Sequence, residues 1–194
     1  MKTIFPKWKI NEISYLVFLS FLLTGYIKNI LLIFTIICVH ELGHLTFLRL
    51  FHYEIEKIEI YPFGGLTTTK NKYINSPINK DILIYFGGIL FQSILYLLFF
   101  CLLHLGKINQ NTFHLFTMYN KSIFFFNLLP IRPLDGGEIV SLFLEKFYPY
   151  EKAYTIMNRL SLFSLSCFIL YTINSNLNNY IIITFLLCKT ISFF

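Results

Sequence analysis

Residues 30–50 read ILLIFTIICVHELGHLTFLRL, an apolar run into which His40, Glu41 and His44 are set. A helix needs about 20 predominantly apolar residues to cross a bilayer, and this stretch is long enough. Ionisable groups inside such a helix are costly unless they share a task, so the run announces both a membrane span and a functional site. Working outward, the same search finds apolar runs at 10–27, 82–105, 112–129, 153–173 and 177–194. The expectation is a single membrane-embedded domain over residues 1–194, an all-α polytopic fold of six transmembrane helices. Lys28 and Asn29 alone separate the first two runs, which allows a tight helical hairpin. Between the second and third runs, Tyr53 to Tyr61 and Leu66 to Thr69 flank Pro62, Phe63, Gly64 and Gly65. That segment reads as a short β-hairpin-like piece, cytoplasmic or re-entrant.

Composition agrees. The 194 residues are 56% hydrophobic, 19% aromatic and 13% charged, which excludes a soluble enzyme, a disordered tail and a secreted mini-protein. Cys38, Cys101, Cys167 and Cys188 all lie inside apolar runs with no C-x-x-C pair, so neither a disulfide framework nor a cysteine zinc site is expected. The net charge of +6 is spread over the polar connections, which excludes a nucleic-acid footprint. It sets orientation in the bilayer instead. With six spans, Lys2, Lys7, Lys9, Arg49, Lys57, Lys70, Lys72, Lys80, Arg132, Lys146 and Lys152 fall on one side, and Lys28 and Lys107 on the other. The positive-inside rule then puts the N-terminus and the second and fourth connections in the cytoplasm of a multi-pass protein. The first run lacks a small-residue cleavage pattern and reads as a retained anchor.

His40-Glu41-Leu42-Gly43-His44 is H-E-x-x-H. Residues four apart share a helical face, so both imidazoles reach one metal ion. Glu41, beside the first ligand, is placed as the general base for a water that zinc activates toward a peptide carbonyl. A catalytic tetrahedral site needs a third protein ligand and an open position. Asn127-Leu-Leu-Pro-Ile-Arg-Pro-Leu-Asp135-Gly136-Gly137 supplies a candidate. Pro130 and Pro133 break the helix at the membrane edge, and Gly136 and Gly137 allow a sharp turn that aims Asp135 at the bundle. Taken alone, Asp135 reads equally as a turn or helix-capping residue; its side of the membrane, shared with the histidines, favours a ligand.

These residues resemble the site-2 proteases, zinc metalloproteases (peptidase family M50) that cut substrates within or near the membrane. Their marks are H-E-x-x-H on one transmembrane helix and N-x-x-P-x-x-x-L-D-G on a later one, matched by His40 to His44 and by Asn127 to Gly136. The spacing, the Pro62-Phe63-Gly64-Gly65 segment and the NLLP..PLDGG wording look most like the stage IV sporulation FB branch, which processes a sigma-factor precursor. The resemblance implies a zinc metalloendopeptidase with one zinc ion per chain, ligands His40, His44 and Asp135, and Glu41 as base. Asn127 is implied to position substrate or stabilise an oxyanion. The implied partners are a membrane-associated protein substrate such as a pro-sigma factor, membrane inhibitor or regulator proteins, and the bilayer of a bacterial cell or forespore-surrounding membrane.

The chain departs from that pattern in three places. Members of the branch commonly carry a nucleotide-sensing CBS domain after the last helix, whereas this chain stops at Phe194 in apolar sequence; either the natural protein lacks that regulator or the chain is shortened. Glu138 stands where relatives usually have arginine. Gly88-Ile-Leu-Phe-Gln92 stands where many read G-P-L-x-N, leaving the helix shape there and the role of Gln92 open.

A substrate must be extended to be cut, and the Gly64 to Thr69 edge offers a strand to add to, with Gly64 and Gly65 permitting close approach; an ordinary turn explains the pair equally well. Lys121 either snorkels or faces a wet cavity. His52 reads as a solvated interfacial histidine. A metal transporter is a weaker reading, because it predicts ionisable residues at successive depths. A catalytically silent scaffold is weaker too, because a structural zinc calls for a fourth protein ligand.

Overall fold

The computed structural model describes residues 7–10, 15, 27–61, 64–69 and 77–173. The runs at 10–27 and 177–194 lie almost wholly outside them, as do Pro62 and Phe63. Five described helices follow the sequence: α1 (Ile27–Leu50), α2 (Ile78–His104), α3 (Gln110–Asn127), α4 (Asp135–Phe147) and α5 (Tyr150–Ile173). Three strands accompany them, β1 (Lys7–Ile10), β2 (Ile55–Tyr61) and β3 (Gly64–Thr69). Two of the described helices, α1 and α2, are long and apolar enough to cross a membrane. The chain divides into two compact units, residues 1–124 and 125–194.

In the first unit, the polar residues that interrupt the apolar runs are what stop and start the helices. α1 has Arg49 in its last turn, a cation where the helix dipole favours one. It closes with the Tyr53 amide donating to the Leu48 carbonyl and the His52 amide to the Arg49 carbonyl. His52, at φ 64, takes the left-handed position of that Schellman closure. α2 opens after Pro77 with Asp81 in its first turn, and the Tyr53 hydroxyl donates to Asp81 at 2.9 Å. α3 is capped by Asn109, whose side-chain oxygen accepts from the Thr112 amide at 2.8 Å. Three helices share one core, where Ile36, Leu95 and Phe116 are buried and Phe99 stacks on Phe116. A second cluster, Leu45, Leu48 and Ile84, lies nearer the end of α1.

The sheet has the order β1-β2-β3. β2 runs antiparallel to β3, pairing Tyr61 with Gly64 and Ile60 with Gly65. β1 pairs parallel to β2, Lys7 with Lys57 through Ile10 with Ile60, and α1 provides the crossover that parallel neighbours require. Ile10, expected to open the first apolar run, therefore ends a strand. The Lys-Trp-Lys-Ile alternation of residues 7–10 is the signal for it.

The second unit corrects the reading of Gly136 and Gly137 as a turn. Both are helical, in the first turn of α4, and the reversal lies before them in residues 128–134. A Cβ on Gly136 would meet the Leu128 carbonyl, and one on Gly137 the Ile131 carbonyl. The glycines are there because the turn lies against the helix start. Ile131 and Leu134 are buried with Leu165 of α5, and the Arg132 amide donates to Ser161 Oγ at 3.2 Å. These contacts moor the turn.

Candidate metal centre

The centre begins with one turn of α1. His40 is buried and His44 half-buried, while Leu42 and Thr46 between and beyond them are exposed, so the two imidazoles face inward together. Their rings stand edge to face at 4.8 Å, with the two Nε2 atoms 3.1 Å apart. Glu41 follows His40 and is half-buried.

α2 is shaped to receive that turn. Gly43 and Gly87 lie at the crossing, where a Cβ on Gly43 would overlap the Gly87 carbonyl. One residue on, a Cβ at Gly88 would lie 2.6 Å from both His40 Cε1 and His44 Nε2. No larger residue leaves room beside the imidazoles at that position. α2 runs unbroken from Ile78 to His104, so the chain through Gly88, Ile89 and Gln92 is regular helix.

The hydrogen bonds settle which ring nitrogen faces the site. His44 Nδ1 lies 2.8 Å from the Ile84 carbonyl oxygen, which only accepts, so Nδ1 carries the proton. Gln92 Nε2 donates to the Asn120 carbonyl at 2.8 Å, which turns Gln92 Oε1 toward His40 Nδ1 at 3.3 Å. His40 Nδ1 is the donor there as well. Each ring then turns its Nε2 to the site, and the two Nε2 atoms lie 3.1 Å apart. A cation held between them would take one nitrogen donor from each. The donors fit zinc, which takes neutral imidazole nitrogen.

In the second unit, Asn127 closes α3 and Asp135 opens α4, both half-buried. Glu138, three residues on, lies 3.8 Å from Arg132 Nε, and Glu145 3.9 Å from Arg132 Nη2. Arg132 also bonds Ser141 and lies over the Tyr154 ring at 5.4 Å. Gly64 and Gly65 open β3, which among the described residues pairs only with β2 and lies beside α1.

His52 is taken out of consideration as a ligand. Its ring is exposed and its Nδ1 turns back to the Leu50 carbonyl at 3.0 Å, as befits the cap of α1. Lys121 is exposed. The sequence marked Gly88 and Gln92 only as the counterpart of a family motif and left their contributions open; an amide and paired glycines within an apolar run are the physical signal.

The model of peptidase family M50 matches residues 28–109 and 104–168, both histidines and Asp135 included. The chain belongs to peptidase family M50. It is 36% identical over 168 residues to stage IV sporulation protein FB of Bacillus subtilis, covering 85% of this chain and 58% of that protein. A zinc metalloprotease of Methanocaldococcus jannaschii is 30% identical over 126 residues, 63% of this chain and 36% of the relative. The chain thus spans little more than half the length of the first of these relatives and about a third of the second. Among solved structures, the site-2 protease of M. jannaschii matches with a TM-score of 0.68 at 26% identity, over 96% of this chain and 88% of that one. M50 membership makes this an integral membrane protein of the site-2 protease fold, in keeping with the two long apolar helices.

Proposed function

We propose that this M50 protein is a zinc metalloendopeptidase that hydrolyses a peptide bond of a membrane-associated protein near the cytoplasmic face, and that its substrate is a sigma-factor precursor processed during sporulation. The observation that carries the enzymatic part is the pair of inward Nε2 atoms on His40 and His44, each set by a hydrogen bond at the far side of its ring. Asp135 is the third protein ligand of the one zinc ion per chain. Zinc, when bound, lowers the pKa of a water and polarises the scissile carbonyl.

The residues divide the remaining labour. Glu41, next to His40, takes the proton of the attacking water and returns it to the leaving amine. The Asn127 carboxamide donates toward the charge that develops on the carbonyl oxygen, or holds the substrate backbone. The substrate unwinds and adds as a strand to the open edge of β3, with Gly64 and Gly65 admitting its backbone. The basic residues of the N-terminal segment and of the second and fourth connections keep this side in the cytoplasm of a multi-pass protein. The sporulation setting is supported by likeness to the B. subtilis protein, and membrane inhibitors or regulators belong to the same setting.

The test is co-expression with a sigma-factor precursor at matched membrane levels. The unaltered chain cleaves, and Glu41→Gln and Asp135→Asn do not. Cleavage that survives Glu41→Gln contradicts the assigned base. A precursor left intact by a chain that cleaves another membrane-tethered protein contradicts the substrate while sparing the enzyme.

A further inference from the structure

Gln92 has no part in the chemistry above, yet it is fully buried in α2 and both ends of its amide are engaged. A polar group in that position is expensive unless hydrogen-bonded, and here the bonds run in one direction only. The Asn120 carbonyl of α3 is a pure acceptor, so the amide NH2 turns to it and the amide oxygen turns to His40. The flipped amide would set two oxygens against each other at one end and aim an N–H at His40 Nδ1 at the other. That arrangement forces the His40 proton onto Nε2 and removes it as a ligand. His44 is held by a backbone carbonyl directly, whereas the His40 arrangement depends on a side chain.

We propose that Gln92 is a positioning residue for the metal. It relays the fixed polarity of the Asn120 carbonyl to His40 and holds that ring as the Nδ1–H tautomer with Nε2 presented. The proposal rests on the zinc reading of His40 and His44 and adds the residue that tunes the first ligand. Groups that hold the far nitrogen of a ligating histidine commonly account for 10- to 100-fold in metal affinity.

Two measurements test it on the full-length protein in detergent. Chelator competition gives the zinc affinity of the unaltered chain, Gln92→Leu and Gln92→Glu. Nitrogen-15 spectra of histidine-labelled, metal-free protein give the tautomer of His40 without any substitution. The leucine fills the volume without an acceptor and is expected to bind zinc about 10- to 100-fold more weakly. The glutamate, which keeps its proton in this buried position, donates its O–H to the Asn120 carbonyl while its carbonyl oxygen accepts from His40, and it is expected to recover affinity to within a few-fold. The unaltered protein should show His40 protonated at Nδ1. Equal zinc affinity in Gln92→Leu, or a His40 proton on Nε2 in the unaltered protein, overturns the proposal. An equal loss in both variants shows a packing role and overturns it as well. Failure of the unaltered chain to bind zinc takes down the zinc reading itself and this inference with it.

Discussion

At residue scale the centre is built by exclusion as much as by ligands. Gly88 leaves the space beside the imidazoles that any Cβ would fill, at 2.6 Å from His40 Cε1 and His44 Nε2. Gly88→Ala is therefore expected to lower zinc occupancy more than tenfold with helix content unchanged, measured by metal analysis and circular dichroism. Full occupancy would show that the helices part at no cost. Glu41→Gln is expected to retain zinc and to lose about 10²- to 10⁴-fold in cleavage rate, the contribution of a general base. His40, Glu41 and His44 were legible from the sequence because their relation is local, one turn of one helix. Gly88 and Gln92 were not, because their meaning depends on where α2 crosses α1 and on the Asn120 carbonyl of α3. The family motif and a polar residue inside an apolar run mark only the place in advance.

Among the elements, the segment between Asn127 and Asp135 holds the expected break in the helix, but its turn falls on other residues than the sequence suggests. Pro130 and Pro133 do end α3, but Gly136 and Gly137 belong to α4 and serve to let the turn approach it. Gly137→Ala is expected to destabilise the folded state by about 1–3 kcal/mol, since the Cβ must displace backbone at Ile131 rather than a flexible side chain. Ile131→Ala, which empties a fully buried site against Leu134 and Leu165, is expected to cost about 2–5 kcal/mol. Denaturant unfolding of the detergent-solubilised protein measures both, and no change in either would contradict the mooring of the turn. α4 escaped the search for spans because it has 13 residues and an amphipathic pattern, too short and too polar for that window. β1, with four residues, was hidden by its partner, because a parallel pairing with β2 is fixed by residues fifty positions away.

For the whole molecule, the two long apolar helices describe a membrane protein, and the proposed orientation, which rests on the charge count, puts its basic side in the cytoplasm. Lys107 and Lys146 are both exposed and fall on opposite sides by that count. With the natural cysteines replaced, Lys107→Cys is expected to react with an impermeant maleimide in intact cells and Lys146→Cys only after permeabilisation. The reverse pattern would invert the orientation and put the proposed site on the wrong side for a cytoplasmic substrate. The central claim is that one zinc ion is held by His40, His44 and Asp135, and zinc-edge X-ray absorption on the purified protein tests it most directly. One zinc per chain with two imidazoles and oxygen donors is expected, and a new zinc–sulfur bond of about 2.3 Å in Asp135→Cys. Sulfur donors in the unaltered protein, or none in Asp135→Cys, would contradict that ligand set.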